Sequence, residues 1–453
     1  MPPGSALPIS GRDLLIAAAL FALAAWQFLA AVDDAAPHRD EARWIHRAVY
    51  VRELAAPLSP YWDEATWRRR RVSLDERNRL RAQPPMASYL MGVGLLAQGR
   101  DLRTNGFWNM DHDEAWNIER GNAPEAGDLA AGRRTVAVVA ALTVVTAYAL
   151  GTRLTNRAGG LVTALFVACH PLVGLYAVFA GSDILLVLLV ALAAVAAGRL
   201  ADRSTWPRAV LLGALIGLGG ATKLSPLLVA LPLALLGVAA LVAALFGARW
   251  APPRRLGMQL LSVPLFAGAI FVGSYPYLWS DPLTNTRAML DFRRLGMELQ
   301  GAAWPHTAVN DPIEAFRRVG LKLGNDWTAL GRLNAELEGR FGLVWDARGV
   351  ELALAAAGLV LLGALVIRSG VWSGHGLVVV VLTGQAAITI AGLRADFARY
   401  HLPVLLLVAV GLGVLAGSAW DGLRQLRALR SLAPSGEEPI PATIAPTPSS
   451  SSS

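Results

Sequence analysis

The residues of this 453-residue chain that could do chemistry fall in a few short stretches. Asp40 and Glu41 stand together at the start of a segment, 40–50, with helical periodicity. Trp44, Ile45, Ala48 and Val49 share one face of it. An acidic pair there either complements the positive end of the helix dipole or offers a carboxylate base. Asp111, His112, Asp113 and Glu114 run together, and oxygen donors at alternate positions suit a hard divalent cation. The run lacks the glycine and spacing of a calcium loop, so a solvated turn is the competing reading. Arg133, Arg134, Lys223, Arg394 and Arg399 are cations at the edges of apolar runs. Guanidinium forks suit phosphate, and such side chains also snorkel to lipid headgroups. Asp396 is expected to pair with Arg394 and Arg399. His170 and His401 read as packing residues.

The elements that must position these residues are membrane spans. The chain is 54% hydrophobic and only 16% charged, with mean hydropathy +0.44. Its apolar residues come in runs near the length that crosses a bilayer. That excludes a soluble enzyme, a secreted disulfide scaffold and a disordered chain. The lone Cys169 can form no intrachain disulfide and reads as a small apolar filler within a membrane helix. A net charge of +8, nearly all from arginine, needs no nucleic acid to explain it, because cationic loops already face anionic lipid.

About ten spans are expected, over 14–32, 135–151, 159–179, 184–198, 209–221, 224–246, 257–278, 350–367, 376–393 and 402–417. The fifth is short and reads as a half-helix or a span broken at Gly219-Gly220. The fold class is thus an all-α polytopic membrane protein with a large first loop carrying amphipathic surface helices. Its parts are 1–32 (first span), 33–132 (first loop), 133–278 (spans two to seven), 279–349 (second loop), 350–418 (last three spans) and 419–453 (a disordered tail rich in Pro and Ser). Arg12, Arg153, Arg157, Arg199, Arg203, Arg208, Arg249, Arg254, Arg255 and Arg368 all fall on one side. The positive-inside rule makes that side cytoplasmic, with both termini, and makes both large loops extracytoplasmic. The plasma membrane is the expected location. The helix at 40–50 is expected to lie on the membrane surface. Trp62, Trp67, Trp108, Trp116, Tyr275, Tyr277, Trp279, Trp304, Trp327 and Trp345 also gather outside, as an interfacial belt or as stacking faces for sugars.

Taken in order along this topology, the motifs resemble the lipid-phosphate-dependent glycosyltransferases of the GT-C superfamily, closest to protein O-mannosyltransferases and bacterial aminoarabinose transferases. The family's Asp-Glu matches Asp40-Glu41, and its Gln-Pro-Pro matches Gln83-Pro84-Pro85. An Arg before the second span matches Arg133 or Arg134, and a Pro after the third matches Pro171. An Asp opening the fourth span matches Asp183, Thr-Lys matches Thr222-Lys223, and Arg-Tyr-x-x-Pro matches Arg399-Tyr400-His401-Leu402-Pro403. The resemblance spans 12–418; loop 279–349 carries no family motif.

The resemblance implies an inverting transferase that moves a sugar from a polyprenyl-phosphate donor to a hydroxyl of a lipid, glycan or protein. Asp40, with Glu41, would be catalytic. Arg133, Arg134, Lys223, Arg394 and Arg399 would bind the donor phosphate. Gln83, Pro84, Pro85, Asp183 and Tyr400 would contact substrate. The sequence assigns no certain cofactor, and Asp111, Asp113 and Glu114 leave a divalent metal open. Such chemistry needs one base and a cation cluster, because phosphate leaves without a general acid. A transporter would instead carry charges within its spans, which are nearly absent here, and a flippase of lipid-linked sugar would bind phosphate but would not need so long an acidic and aromatic first loop. A surface-polysaccharide ligase shares the donor and the side of the membrane.

Overall fold

The computed structural model describes residues 10–63, 83–102, 105–248, 251–343 and 345–432. Trp67, Arg249 and the tail from Ala433 lie outside these residues. The described chain is helical throughout, apart from turns and one isolated antiparallel bridge, Ala308 with Ala395.

The first helix, α1 (Gly11–Ala30), starts at a capping box: Ser10 accepts from the Asp13 amide, and Asp13 accepts from the Ser10 amide. Then come α2 (Arg39–His46), α3 (Tyr50–Glu53), α4 (Met86–Ala97) and α5 (Glu114–Glu119). The membrane bundle continues through α6 (Ala126–Leu154), α7 (Arg157–Cys169), α8 (Pro171–Ala177), α9 (Asp183–Asp202), α10 (Trp206–Gly220), α11 (Ala230–Leu245) and α12 (Arg254–Gly273). The second loop holds α13 (Pro282–Ala303), α14 (Pro312–Leu321) and α15 (Ala329–Phe341). The last helices are α16 (Val350–Ser369), α17 (Gly374–Ala391) and α18 (Leu402–Leu432).

Among the described residues, eight helices are long and apolar enough to cross a membrane. The pair α7–α8, bent by 61° at Pro171, makes up to nine if it counts as one span. Each of the ten expected runs is helical, but the third is divided between α7 and α8, and α10 has only 15 residues. That is about 22 Å of helix, short of the roughly 30 Å hydrocarbon core.

Small residues set the closest contacts in the bundle. α16 and α18 approach so closely that a Cβ on Gly358 would strike the Gly411 backbone, and one on Gly411 would strike the Ala355 backbone. Lipid provides no hydrophobic drive between helices, so such backbone-to-backbone approach is the main source of packing.

Three expectations change. The apolar face of α2 is buried in protein: Trp44, Ile45 and Ala48 are enclosed, and Ile45 reaches Gly132 of α6. It is therefore not free to sit in lipid headgroups. Residues 419–432, assigned to the tail, continue α18 as helix. Cys169, at the end of α7, is exposed on the chain's surface instead of filling its interior.

Candidate active site

The site is built on the two faces of α2. His38 caps this helix: its Nδ1 accepts from the Asp40 amide, and the Glu41 carboxylate reaches back to the His38 amide at 2.9 Å. The capping box aims Glu41 into the protein. There Oε1 accepts from Arg133 Nε (2.8 Å) and the Ala180 amide (2.9 Å), and Oε2 accepts from Arg133 Nη2 (2.7 Å). Arg133 spends its remaining donors on the carbonyls of Ala35 (2.6 Å) and Ala36 (2.8 Å). Glu41 is 1% exposed and Arg133 5%. Both carboxylate oxygens and the guanidinium are saturated by protein. As placed, Glu41 is an anchor whose oxygens are taken up by protein donors, and the donors of Arg133 are likewise taken up by protein acceptors. They join α2, α6 and the loop before α9.

That anchor leaves Asp40 on the opposite, partly exposed side of α2. Its Oδ2 accepts from Arg399 Nη1, in the helical turn Ala398–His401 ahead of α18. Burial raises the Asp40 carboxyl, but the charge and hydrogen bond of Arg399 outweigh it, with help from His38 and Arg43. The net effect holds Asp40 below the usual carboxylate range, so it is ionised at neutral pH.

Tyr400 is the hub of the cationic half. Arg293 Nη2 donates to its hydroxyl at 2.9 Å. Lys223 Nζ lies 5.2 Å from its ring centroid, Arg399 5.4 Å and Arg293 5.8 Å. Lys223 also pairs with Asp183, the first residue of α9, which is 5% exposed. Three cations thus gather against two carboxylates, Asp40 and Asp183, which leaves the cluster with a surplus positive charge.

The Pro-Pro motif positions this cluster. Pro84 and Pro85 are buried and carry no amide hydrogen, so the first donor of α4 is the Met86 amide, which bonds the Ala221 carbonyl at 2.8 Å. Ala221 is two residues from Lys223. Gln83 is held through its backbone, whose carbonyl accepts from Arg47 at 2.7 Å. As placed, Gln83, Pro84 and Pro85 support the site from behind.

The other expected residues lie elsewhere. Arg134 is half-exposed, 3.6 Å from Asp33. Arg394 is exposed and donates to the Asn310 carbonyl at 3.2 Å. Asp396 does not pair with Arg394 or Arg399. It meets buried His401 (2.8 Å), Arg318 (3.8 Å) and Lys322 (3.9 Å). Asp113 caps α5 by accepting from the Trp116 amide at 2.8 Å, and Asp111 donates its amide to Asn109. Asp111, Asp113 and Glu114 do not form a metal cage; among the described residues no group of three or more His, Cys, Asp or Glu side chains could hold a metal ion. His170 and His401 are fully buried, as packing residues should be.

Arg293 escaped the sequence reading because it lies in the loop without a motif. A signal existed in the pattern of α13. Arg287 faces Asp291 and Arg294 faces Glu298 as exposed i,i+4 pairs, whereas Arg293 follows buried Met289 by one turn.

Comparison with known proteins gives one family match. A family described as dolichyl-phosphate-mannose-protein mannosyltransferase matches residues 126–270, less than half of the chain. No curated protein matches. Among solved structures, the archaeal oligosaccharyltransferase AglB from Archaeoglobus fulgidus, in complex with an inhibitory peptide and a dolichol-phosphate, is similar at 12% identity and TM-score 0.51. The match covers 95% of this chain and 53% of that one. The apo form of the Archaeoglobus fulgidus oligosaccharyltransferase gives 14% identity and TM-score 0.48, over 92% and 52%. The chain thus spans about half the length of the archaeal proteins it matches. The likeness is one of fold: a polytopic, all-α membrane architecture like that of the archaeal oligosaccharyltransferase.

Proposed function

We propose that this protein is an inverting glycosyltransferase that moves a sugar from a polyprenyl-phosphate donor to an acceptor hydroxyl outside the cytoplasm. The observation that carries this reading is an ionised, partly buried Asp40 set beside a surplus of cations around Tyr400. Lys223, Arg293 and Arg399 would receive the phosphate, and Asp40 would face the acceptor. The acceptor oxygen forms a bond to the anomeric carbon as the bond to the phosphate oxygen breaks. The departing polyprenyl phosphate keeps the bonding electrons, and its charge is met by the cations. The acceptor proton passes to Asp40. One displacement inverts the anomeric carbon. No second carboxylate is needed, which fits Asp183 being held by Lys223. When the phosphate draws Arg399 toward itself, Asp40 loses part of its counter-charge and becomes a better base.

The donor class agrees with the dolichol-phosphate bound in the archaeal oligosaccharyltransferase and with the name of the matching family. The distribution of arginines favours both termini in the cytoplasm of a plasma-membrane protein, with the site on the far side. The acceptor class is a hydroxyl of a lipid, glycan or protein.

The test is sugar transfer by purified protein from a panel of polyprenyl-phosphate sugars, comparing wild type with Asp40→Asn. The variant should lose roughly 10²- to 10⁴-fold in turnover and keep donor binding, the usual size of a general-base contribution. Equal turnover by both proteins would remove Asp40 from the chemistry. Lipid movement in liposomes without turnover of any donor would replace the transferase reading with a transporter.

A further inference from the structure

Of the aromatic residues expected on the outer side, most have structural places in this fold. Trp62, Trp108, Tyr275 and Tyr277 are buried. Trp116 stacks on His112 at 3.9 Å, far along the chain from the site residues. Trp279 and Trp345 are exposed; the Trp279 indole donates to the Val272 carbonyl, and the Trp345 amide donates to the Asn334 side chain. Trp327 packs against the main core. Trp304 differs. It is partly exposed, and the Arg39 guanidinium lies 5.3 Å from its ring centroid, one residue from Asp40. Phe397 also meets it edge-on at 5.9 Å, and Phe397 in turn meets Tyr400 at 5.9 Å. Trp304, Phe397 and Tyr400 thus form a continuous aromatic wall from the cation cluster to the residue beside the proposed base.

The wall is fixed by backbone pairing across two distant segments. The Val309 amide donates to the Arg394 carbonyl (3.1 Å), and the Asp396 amide donates to the Thr307 carbonyl (2.8 Å). Arg318 adds a bond to the His306 carbonyl at 3.1 Å. The second loop is therefore a built side of the site. A large ring with apolar area, held still at low entropic cost, is what stacking recognition needs. A pyranose presents one face of C–H groups, and an indole is the side chain best matched to it in area.

We infer that Trp304 is a sugar-binding residue that stacks on a pyranose ring next to Asp40. This rests on the transferase reading for the site's purpose, though not for the contact itself. The ring has two sources, the donor's own sugar or an acceptor saccharide. Binding of polyprenyl-phosphate mannose and of bare polyprenyl phosphate should be measured on wild type, Trp304→Ala and Trp304→Phe in nanodiscs. Transfer to a saccharide acceptor should be measured alongside. If the donor sugar stacks, wild type prefers the sugar-bearing lipid. Trp304→Ala then loses roughly tenfold of that preference, and Trp304→Phe recovers most of it. If the acceptor stacks, donor affinities stay constant while the acceptor KM rises roughly tenfold in Trp304→Ala and much less in Trp304→Phe. Either pattern supports Trp304 as a sugar platform, and a purely structural role would weaken both lipids equally. Unchanged sugar preference together with unchanged acceptor KM would overturn it. Asp40→Asn separates the two ideas: unaltered turnover there would defeat the base assignment and leave the Trp304 result standing.

Discussion

Removing Arg133 should expose what Glu41 does. In Arg133→Gln, the Glu41 carboxylate stays 1% exposed but keeps only two of its four donors, the His38 and Ala180 amides. Breaking a buried ion pair from one side costs about 3–5 kcal/mol, because a charge is left without compensation. The carbonyls of Ala35 and Ala36 lose their donor as well. Against a typical total stability of about 5–15 kcal/mol this is a large fraction, and the apparent melting temperature in detergent should fall by roughly 5–10 °C. The double variant Glu41→Leu with Arg133→Leu removes both charges, so it should recover much of the loss. The assay is thermal unfolding of the purified protein followed by intrinsic fluorescence, with donor binding on the same samples. An anchor predicts that stability and activity fall together. A catalytic Glu41 predicts lost turnover at unchanged stability, and that result would refute the anchor. A double variant as unstable as the sum of the singles would refute the pairing argument.

Protonation gives a second prediction. Arg399 holds Asp40 below the ordinary carboxylate range, so kcat/KM should stay level as pH falls from neutral toward about 3.9 and decline only below it. In Arg399→Gln burial is left less opposed, and the acidic limb should move to higher pH; an unmoved limb in a pH-rate profile would break the link. Lys223→Met should weaken binding of bare polyprenyl phosphate about tenfold or more, the worth of a charge-assisted bond, whereas Asp183→Asn, which releases the Lys223 amine, should not weaken it. Gly358→Val should sharply lower the yield of folded protein on size-exclusion chromatography, because the added carbons fall on the backbone of α18 at Gly411.

Much of this arrangement is legible in the sequence, for physical reasons. Spans show because a bilayer demands long apolar runs, and the expected runs are helical, though among the described residues only eight, or nine with the bent pair, are long and apolar enough to cross. Asp40, Asp183, Lys223, Arg399 and Tyr400 are drawn together from four distant segments. Sequence could not tell Asp40 from Glu41 beside it. The division of labour follows from which side of α2 meets Arg133, and that is a tertiary fact. For the same reason Arg133 looked like a phosphate ligand: a guanidinium beside a span reads alike whether its partner is lipid phosphate or a buried carboxylate. The acidic run at 111–114 looked like a cation site because spacing alone does not show that Asp113 already serves a helix end. Arg293 was obscured in a loop of ordinary amphipathic helices, and Trp304 could not be told from the other outer aromatics.

The bridge between Ala308 and Ala395 bears on how such a protein could change its substrate. The second loop meets the segment before α18 through amide-to-carbonyl bonds at Val309, Thr307, Arg394 and Asp396. Main-chain bonds of this kind are indifferent to the side chains they carry. Residues at 304–309 can therefore be exchanged while the loop keeps its seat, so on the proposed function this rim can drift to a new sugar or acceptor with the proposed Asp40–Arg399 chemistry left untouched. A set of chimeras that swap only this rim would sample substrate preference on a constant catalytic frame.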